Sequence, residues 1–290
     1  MALGTATCWA FTSLLFSYSG RRVGSRVVNT SRLLFAVLIL ASVHWLVYGT
    51  LLPLNVEPFR WGWFTLSSLL GLVVGDGLLF QAFVLIGRRL SAFMMALVPI
   101  FSTLLAWLLF GETVTPLELT GIVLTLTGIG WVVTERRSPQ AVVENKQYGW
   151  GILLGVGAAL GQATGLITAR FGLADNFPAF SATLIRMLVA ALMMWGLAAG
   201  QGKIGLITNG WRNRPALTAI VGGTIVGPVL GVWLSLAAIQ IARLGIAATL
   251  MALTPIILIP LTYFILKEKI SERSIVGTVV ALSGVALIFL

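Results

Sequence analysis

Asp76 is the acidic residue that lies deepest within an apolar stretch of this chain, in the segment VVGDGLLFQ. An ionisable side chain inside a membrane-length apolar segment is costly, and by default it indicates a functional site. Its carboxylate suits two kinds of chemistry: a counter-ion for an amine, or a group that gains and loses a proton. A structural alternative also stands, in which Asp76 pairs with Arg186 or Arg170 or hydrogen-bonds to a neighbouring helix.

Four other side chains within apolar stretches have the chemistry of a small-molecule site. Gln81 and Gln162 are neutral polar residues that can join Asp76 in a cavity. Trp9 and Trp233 lie far from the ends of their stretches, so their rings face either lipid or a central cavity. With Asp76, these residues form the predicted substrate-binding set.

The single Cys8 and the single His44 exclude several classes of site. One cysteine forms neither an intramolecular disulfide nor a cysteine metal cluster, and one histidine cannot complete an HExxH zinc motif. One intramembrane aspartate does not supply the pair that an aspartyl protease needs, and the chain has no GxxxxGK[ST] nucleotide loop. We therefore expect no enzymatic activity, no metal and no cofactor.

The composition predicts an all-α integral membrane protein. Hydrophobic residues make up 58% of the 290 residues, charged residues make up 10%, and the mean hydropathy is +0.99. About 20 apolar residues cross a bilayer as a helix. Segments without Asp, Glu, Lys or Arg predict ten such spans: 1–20, 33–56, 61–75, 90–111, 119–134, 147–169, 187–202, 215–242, 244–266 and 274–290. The net charge is +10, and the basic residues lie mostly between the spans, where we expect membrane lipids and not nucleic acid as partners.

Residues 97–133 return without a gap as residues 253–289, at an offset of 156. The matched positions are Pro99 with Pro255, Glu112 with Glu268, Gly121 with Gly277, and Gly128 with Gly284. This repeat divides the chain into residues 1–134, a linker at 135–148, and residues 149–290. Each half has five spans, and because five is odd the second copy must enter the membrane from the opposite side. The prediction is therefore two inverted five-helix repeats.

The repeated residues are expected to shape the fold. Each proline is predicted inside a span, as a fixed kink or as a bend that moves. Each glutamate precedes a span, where its carboxylate complements the exposed N–H groups of the first turn. The glycines lie seven apart on one helix face, which predicts close packing of spans five and ten within one chain. Cysteines at 121 and 277 are then expected to crosslink within the chain. We expect a monomer, with a dimer across these faces as the open alternative.

Cationic residues give two further expectations. Arg32 and Arg186 correspond at an offset of 154, and each is near the start of its span, which favours snorkelling to the headgroups. The connections after odd-numbered spans are rich in Lys and Arg, whereas those after even-numbered spans hold only Arg60, Arg170 and Arg243. The positive-inside rule places the rich connections in the cytoplasm and both termini outside.

The order of an apolar span with a proline, a Gly/Lys-Glu turn and a span with two glycines resembles the EamA half of drug/metabolite transporters. The similarity is specific over 73–133 and 225–289. It implies a ten-span secondary carrier for small metabolites, often amino acids, in the cell (inner) membrane. Ten-span members are usually drawn with both termini inside, in conflict with the charges of this chain.

The expected activity is transport of a small-molecule substrate by alternating access. Phosphorylated substrates would need several intramembrane Lys or Arg residues, and only Arg186 and Arg170 are candidates. A neutral, zwitterionic or cationic solute is therefore expected. The alternative is a channel-like facilitator, although no repeated polar ring suggests a filter.

Overall fold

The computed structural model describes residues 1–133, 145–266 and 271–288, and the described chain is helical with no strand. The helices in chain order are α1 (Ala2–Val23), α2 (Ser25–Tyr48), α3 (Pro58–Ser67), α4 (Asp76–Met95), α5 (Val98–Phe110), α6 (Pro116–Val133), α7 (Asn145–Gly172), α8 (Ala179–Gly200), α9 (Ile204–Gly210), α10 (Arg214–Thr224), α11 (Val232–Ile241), α12 (Leu244–Met251), α13 (Thr254–Leu266) and α14 (Glu272–Ile288). Two π-helical segments, π1 (Ser68–Gly75) and π2 (Ile225–Gly231), join α3 to α4 and α10 to α11. Glu268 and most of the predicted linker lie outside the described residues.

Six helical stretches of the described chain are long and apolar enough to cross a bilayer. They are Ser25–Tyr48, Pro58–Ala82, Tyr148–Gly172, Ala179–Gly200, Arg214–Ile241 and Leu244–Leu261. Val98–Phe110 and Ile275–Ile288 are shorter apolar helices. The all-α membrane class is thus as predicted, while the count of ten spans remains a prediction.

Each proline of the repeat begins a helix, and Pro255 also lies inside the membrane-length stretch Leu244–Leu261, as predicted. Pro99 lies in the first turn of α5, after a break at 96–97. Pro255 is the second residue of α13, after an equivalent break at 252–253. Proline has no N–H to donate, and the first turn of a helix leaves its N–H groups unbonded in any case, so this position costs no hydrogen bond. Each repeat therefore has a break in the helix just before this proline, and the second repeat has a further proline, Pro260, inside α13.

The π segments occupy equivalent places in the two halves, at the repeat offset of 156. The N–H of Asp76 bonds to the carbonyl of Gly71, five residues back, and the N–H of Val232 bonds likewise to Gly227. Each π segment packs against the first helix of the opposite half: π1 against α7, and π2 against α1. The spacing of Gly71 and Gly75, repeated at Gly227 and Gly231, was the available sequence signal for these segments.

The glycine faces of α6 and α14 pack together within one chain, as predicted, in the most extensive helix contact of the described structure. A Cβ on Gly121 would lie 2.7 Å from the carbonyl oxygen of Gly284, and one on Gly128 would lie 2.5 Å from that of Gly277. Because Gly121 faces Gly284 and Gly128 faces Gly277, the helices are antiparallel. The crosslink expected between 121 and 277 is therefore wrong, since position 121 lies opposite 284.

Most of the buried side chains are small or aliphatic and lie where the halves meet. One cluster includes Leu166 of α7, Ile185 of α8, Leu236 of α11 and Leu244 of α12. A second cluster joins α2, π1, α8 and π2 through residues such as Leu33. The polar residues described next lie beside this second cluster.

Candidate functional site

Asp76 is the first residue of α4, directly after π1, and it is only 8% exposed. Nη2 of Arg32 donates to its Oδ2 atom and forms an ion pair. Nε2 of Gln162 donates to its Oδ1 atom at 2.8 Å. Both carboxylate oxygens are therefore engaged, and the partner is Arg32 instead of the Arg186 or Arg170 that the sequence suggested.

Arg32 of α2 points into the protein and does not snorkel to the headgroups. Its side chain is 14% exposed, and its Nε donates to Oδ1 of Asn29 at 2.8 Å. The guanidinium carbon also lies over the rings of Phe16 and Phe80, at 5.8 and 5.9 Å from the centroids. These contacts hold the cation at the centre of the bundle, where Asp76 balances its charge.

Gln162 links α7 to the π segment of the other half. Its Nε2 donates to the carbonyl of Gly71 at 2.9 Å as well as to Asp76. Two glycines permit this approach, because a Cβ on Gly161 would come within 3.0 Å of the Cα of Gly75. The glycine of π1 and the amide of α7 thus set the position of the Asp76 carboxylate.

Trp9 lies on α1 against π2, as Gln162 lies on α7 against π1. A Cβ on Gly231 would lie 3.1 Å from its Nε1, whereas the equivalent Gly75 lies beside Gln162. Trp9 also borders a central cavity of about 50 Å³. The cavity is lined by Trp9, Thr12, Arg32, Leu33, Leu72, Met187, Gly227, Pro228 and Val232. This volume admits only a few water molecules, so the centre has no room for a metabolite in this conformation.

The other two residues of the predicted set do not join Asp76. Gln81 is on the exposed face of α4, about 140° around the helix from Asp76. Trp233 packs edge-on against Phe180, with ring centroids 5.9 Å apart, and is absent from the cavity wall. The structure therefore brings together Asp76, Gln162 and Arg32, while Trp9 lines the same cavity as Arg32.

Arg186 of α8 is a buried cation that the sequence interpretation placed at the headgroups. It is 3% exposed, and its buried Nε has no hydrogen-bond partner among the described residues. A Cβ on Gly71 would lie 3.5 Å from Nη2 of Arg186 and 3.9 Å from Oε1 of Gln162. The correspondence of Arg186 with Arg32 was a signal that both belong to one site.

Glu112 bonds across the halves. It does not cap its own span, although the sequence predicted that it would. Its Oε2 accepts the N–H of Leu244, the first residue of α12, at 2.9 Å, and Oε1 lies 2.6 Å from Nη1 of Arg170. In α6 the capping role falls to Glu118, which accepts the N–H of Thr115 at 2.8 Å. Both glutamates thus contact a helix start, and Glu118 was overlooked although Thr-x-x-Glu is a known cap signal.

A wider cavity, of about 970 Å³, is a groove between α5 and α6. Trp107, Leu104 and Trp131 on its walls are about half exposed, and most other lining residues are aliphatic. In a bilayer such side chains face lipid tails. Its polar lining side chains are three threonines and Glu112, and Glu112 is already engaged by Leu244 and Arg170, so the cluster around Asp76 is the better candidate site.

Comparison with known proteins agrees with this architecture. The model of the EamA-like transporter family matches residues 1–134 and 149–290. A solved crystal structure of a protein superimposes with a TM-score of 0.80 at 16% identity, covering 98% of this chain and 94% of its own. At that identity the likeness shows a shared fold alone. A comparison with curated proteins found no match.

Proposed function

Because the chain belongs to the EamA-like transporter family, we propose that it is a secondary transporter that moves a small metabolite by alternating access. The family match and the long apolar helices make it a multi-pass membrane transporter of small solutes. The substrate class that we propose is neutral, zwitterionic or cationic, with amino acids as candidates. We propose the cell (inner) membrane as its location and a monomer as its working form.

The observation that carries this proposal is the polar cluster at the start of α4. Asp76, Arg32 and Gln162 come from three different helices and meet directly after the π segment. Transporters of this architecture place their sites near the bilayer midplane, where helices are discontinuous. Buried charge at such a place is costly to a fold that has no use for it. This cost favours a functional role for the cluster.

Cross-half symmetry supports the alternating mechanism. Each π segment packs against the first helix of the other half, and equivalent helices α6 and α14 run antiparallel. Two inverted five-helix repeats would produce both features. In such an arrangement, rocking of one half against the other opens the central cavity to each side in turn.

The size of the central cavity is consistent with a closed intermediate of that cycle. Its volume of about 50 Å³ is far below the roughly 300 Å³ that small-molecule pockets typically reach. A metabolite can occupy the centre only after the elements that line this cavity separate. Substrate movement would then be coupled to this separation.

The test is transport by purified protein in proteoliposomes. A carrier shows saturable uptake that is accelerated by unlabelled substrate on the opposite side, because each turnover requires the return of the empty or loaded site. We expect this behaviour in a counterflow screen of amino acids and amines. Non-saturating flux without counterflow would favour the channel-like alternative, and the absence of flux for every solute would contradict the proposed function.

A further inference from the structure

We propose that Arg186 forms the binding subsite for a carboxylate group of the substrate. This inference rests on the proposed function and names a chemical feature of the solute. Arg186 is 3% exposed, and none of the ion pairs in the described part of the chain includes it. A guanidinium stays protonated in proteins, so its charge is present whether or not a partner is bound.

The charges around π1 do not balance. Arg32 and Arg186 contribute two guanidinium groups, and Asp76 is the buried acid beside them. Both oxygens of Asp76 are already engaged, by Arg32 and Gln162. Arg186 therefore shares the charge of one carboxylate with Arg32 and is incompletely neutralised, and the simplest way to balance it is an anionic ligand.

The surroundings of Arg186 place this charge at the candidate site. Its Nη2 and Oε1 of Gln162 both lie beside Gly71, since a Cβ on that glycine would be 3.5 Å from the first atom and 3.9 Å from the second. Its backbone carbonyl accepts the hydroxyl of Ser68 at 3.0 Å, which fixes α8 against π1. The next residue, Met187, lines the central cavity together with Leu72, the neighbour of Gly71. Arg186 itself is not on the cavity wall, so the proposed subsite lies one residue along α8 from that wall.

A carboxylate is the group that fits this position. A planar guanidinium binds a carboxylate through two parallel hydrogen bonds, and the unpartnered Nε of Arg186 is one of the donors that such a pair uses. Bulkier doubly charged groups would need more than one free cation, and Arg32 is already neutralised by Asp76. The proposed solute thus carries one carboxylate, which agrees with the zwitterionic members of the proposed substrate class.

The first experiment measures the thermal stability of the purified, ligand-free protein. Arg186→Gln removes an unbalanced buried charge, so we expect its melting temperature to equal or exceed that of the wild type. The matched control is Arg32→Gln at the repeat-equivalent position, which breaks an ion pair and should lower the melting temperature. A loss in Arg186→Gln as large as that in Arg32→Gln would show that Arg186 has a structural partner, and would overturn the proposal.

The second experiment measures binding by thermal shift at constant ionic strength. The probes are acetate, propionate and benzoate, each compared with its uncharged amide. At saturating concentration the carboxylates should raise the melting temperature of the wild type by about 2–4 °C and the amides should not. The shift should vanish in Arg186→Gln and persist in Arg212→Gln, a loss of an exposed charge.

The outcomes separate this inference from the proposed function. Carboxylate shifts that persist in Arg186→Gln, or that are absent from the wild type, overturn the subsite. Carboxylate shifts that depend on Arg186, in a protein that moves no solute in proteoliposomes, would keep the subsite and contradict the transporter assignment. Uptake restricted to solutes without a carboxylate would support the transporter assignment and overturn the subsite.

Discussion

At the scale of single residues, the Asp76–Arg32 pair decides what a mutation at the centre can report. The side chains of both residues are largely buried, at 11% and 14% exposed. Removing one partner of a buried ion pair leaves the other charge unbalanced, at a cost of about 3–5 kcal/mol. A loss of transport in Asp76→Asn alone would therefore mix a functional effect with a folding effect.

The double variant Asp76→Asn/Arg32→Gln separates the two effects. Asp76→Asn alone should abolish transport and lower stability by about 3 kcal/mol, because Arg32 loses its counter-ion. The double variant removes both charges, so we expect stability near that of the wild type and no transport. Melting temperature and proteoliposome uptake are the measurements. Wild-type uptake by the double variant across pH would mean that the pair is structural.

Replacement of Glu112 should lower stability and leave transport unchanged, because its partners lie away from the central cavity. Glu112→Gln removes the charge that faces Arg170 and should cost about 3 kcal/mol of stability, seen as a lower yield and melting temperature. The molecules that fold should transport at the wild-type rate per protein. Normal stability combined with lost transport would place Glu112 in the substrate path instead.

At the scale of elements, backbone contact replaces side-chain packing where the two halves meet. A membrane interface gains little from hydrophobicity, because lipid tails are as apolar as leucine, so helices associate through close packing and polar contacts. In α6 and α14 the glycines allow such packing, and the hydroxyl of Thr125 donates to the carbonyl of Ala281 at 3.3 Å. In π1 and π2 the glycines let α7 and α1 approach the wider π-helical turns of the backbone closely.

Adding one methyl group to the α6–α14 contact tests this interpretation. A Cβ on Gly128 would lie 2.5 Å from the backbone nitrogen of Ala281, so Gly128→Ala must push the helices apart. We expect a loss of about 1–3 kcal/mol in stability. The control is Gly196→Ala in α8, where a Cβ meets nothing within 4 Å and helix propensity improves by about 0.5–1 kcal/mol. Equal melting temperatures for the two variants would contradict the close contact.

At the scale of the whole molecule, charge differs between the two ends of the bundle. The three cations that follow even-numbered spans each pair with an acid: Arg60 with Glu57 and Asp175, Arg170 with Glu112, and Arg243 with Glu118. In the predicted ten-span topology, most other Lys and Arg residues fall in the connections at the opposite end. The difference in charge between the two ends is therefore larger than the count of Lys and Arg residues indicates. The three cations at the end with few basic residues are neutralised by acids.

This asymmetry predicts the orientation in the membrane. The cationic end should face the cytoplasm, which places both termini outside. A C-terminal green fluorescent protein should then remain dark and a C-terminal alkaline phosphatase should be active. A green fluorescent protein fused after Gly202, in the turn that follows α8, should fluoresce as the control. A bright C-terminal fusion would show the orientation usually drawn for the family.

Composition and periodicity alone established the membrane class, the repeat and the facing glycines, because these depend on local burial and on small residues at fixed spacing. The same information marked Asp76, since an acid in an apolar span is visible without a structure. Which cation pairs with it was not visible, because Arg32 and Arg186 occupy equivalent positions and only the packing of three helices distinguishes them.

Tertiary structure also decided where several other residues act. Glu112 was expected at a helix start and does serve one, but the helix belongs to the other half of the chain. Gln81 and Trp233 have the same chemistry as Gln162 and Trp9, yet Gln81 is on the exposed face of α4 and Trp233 packs against Phe180 and is absent from the cavity wall. The type of a residue sets what it can bind, whereas its direction across a helix contact depends on the whole bundle.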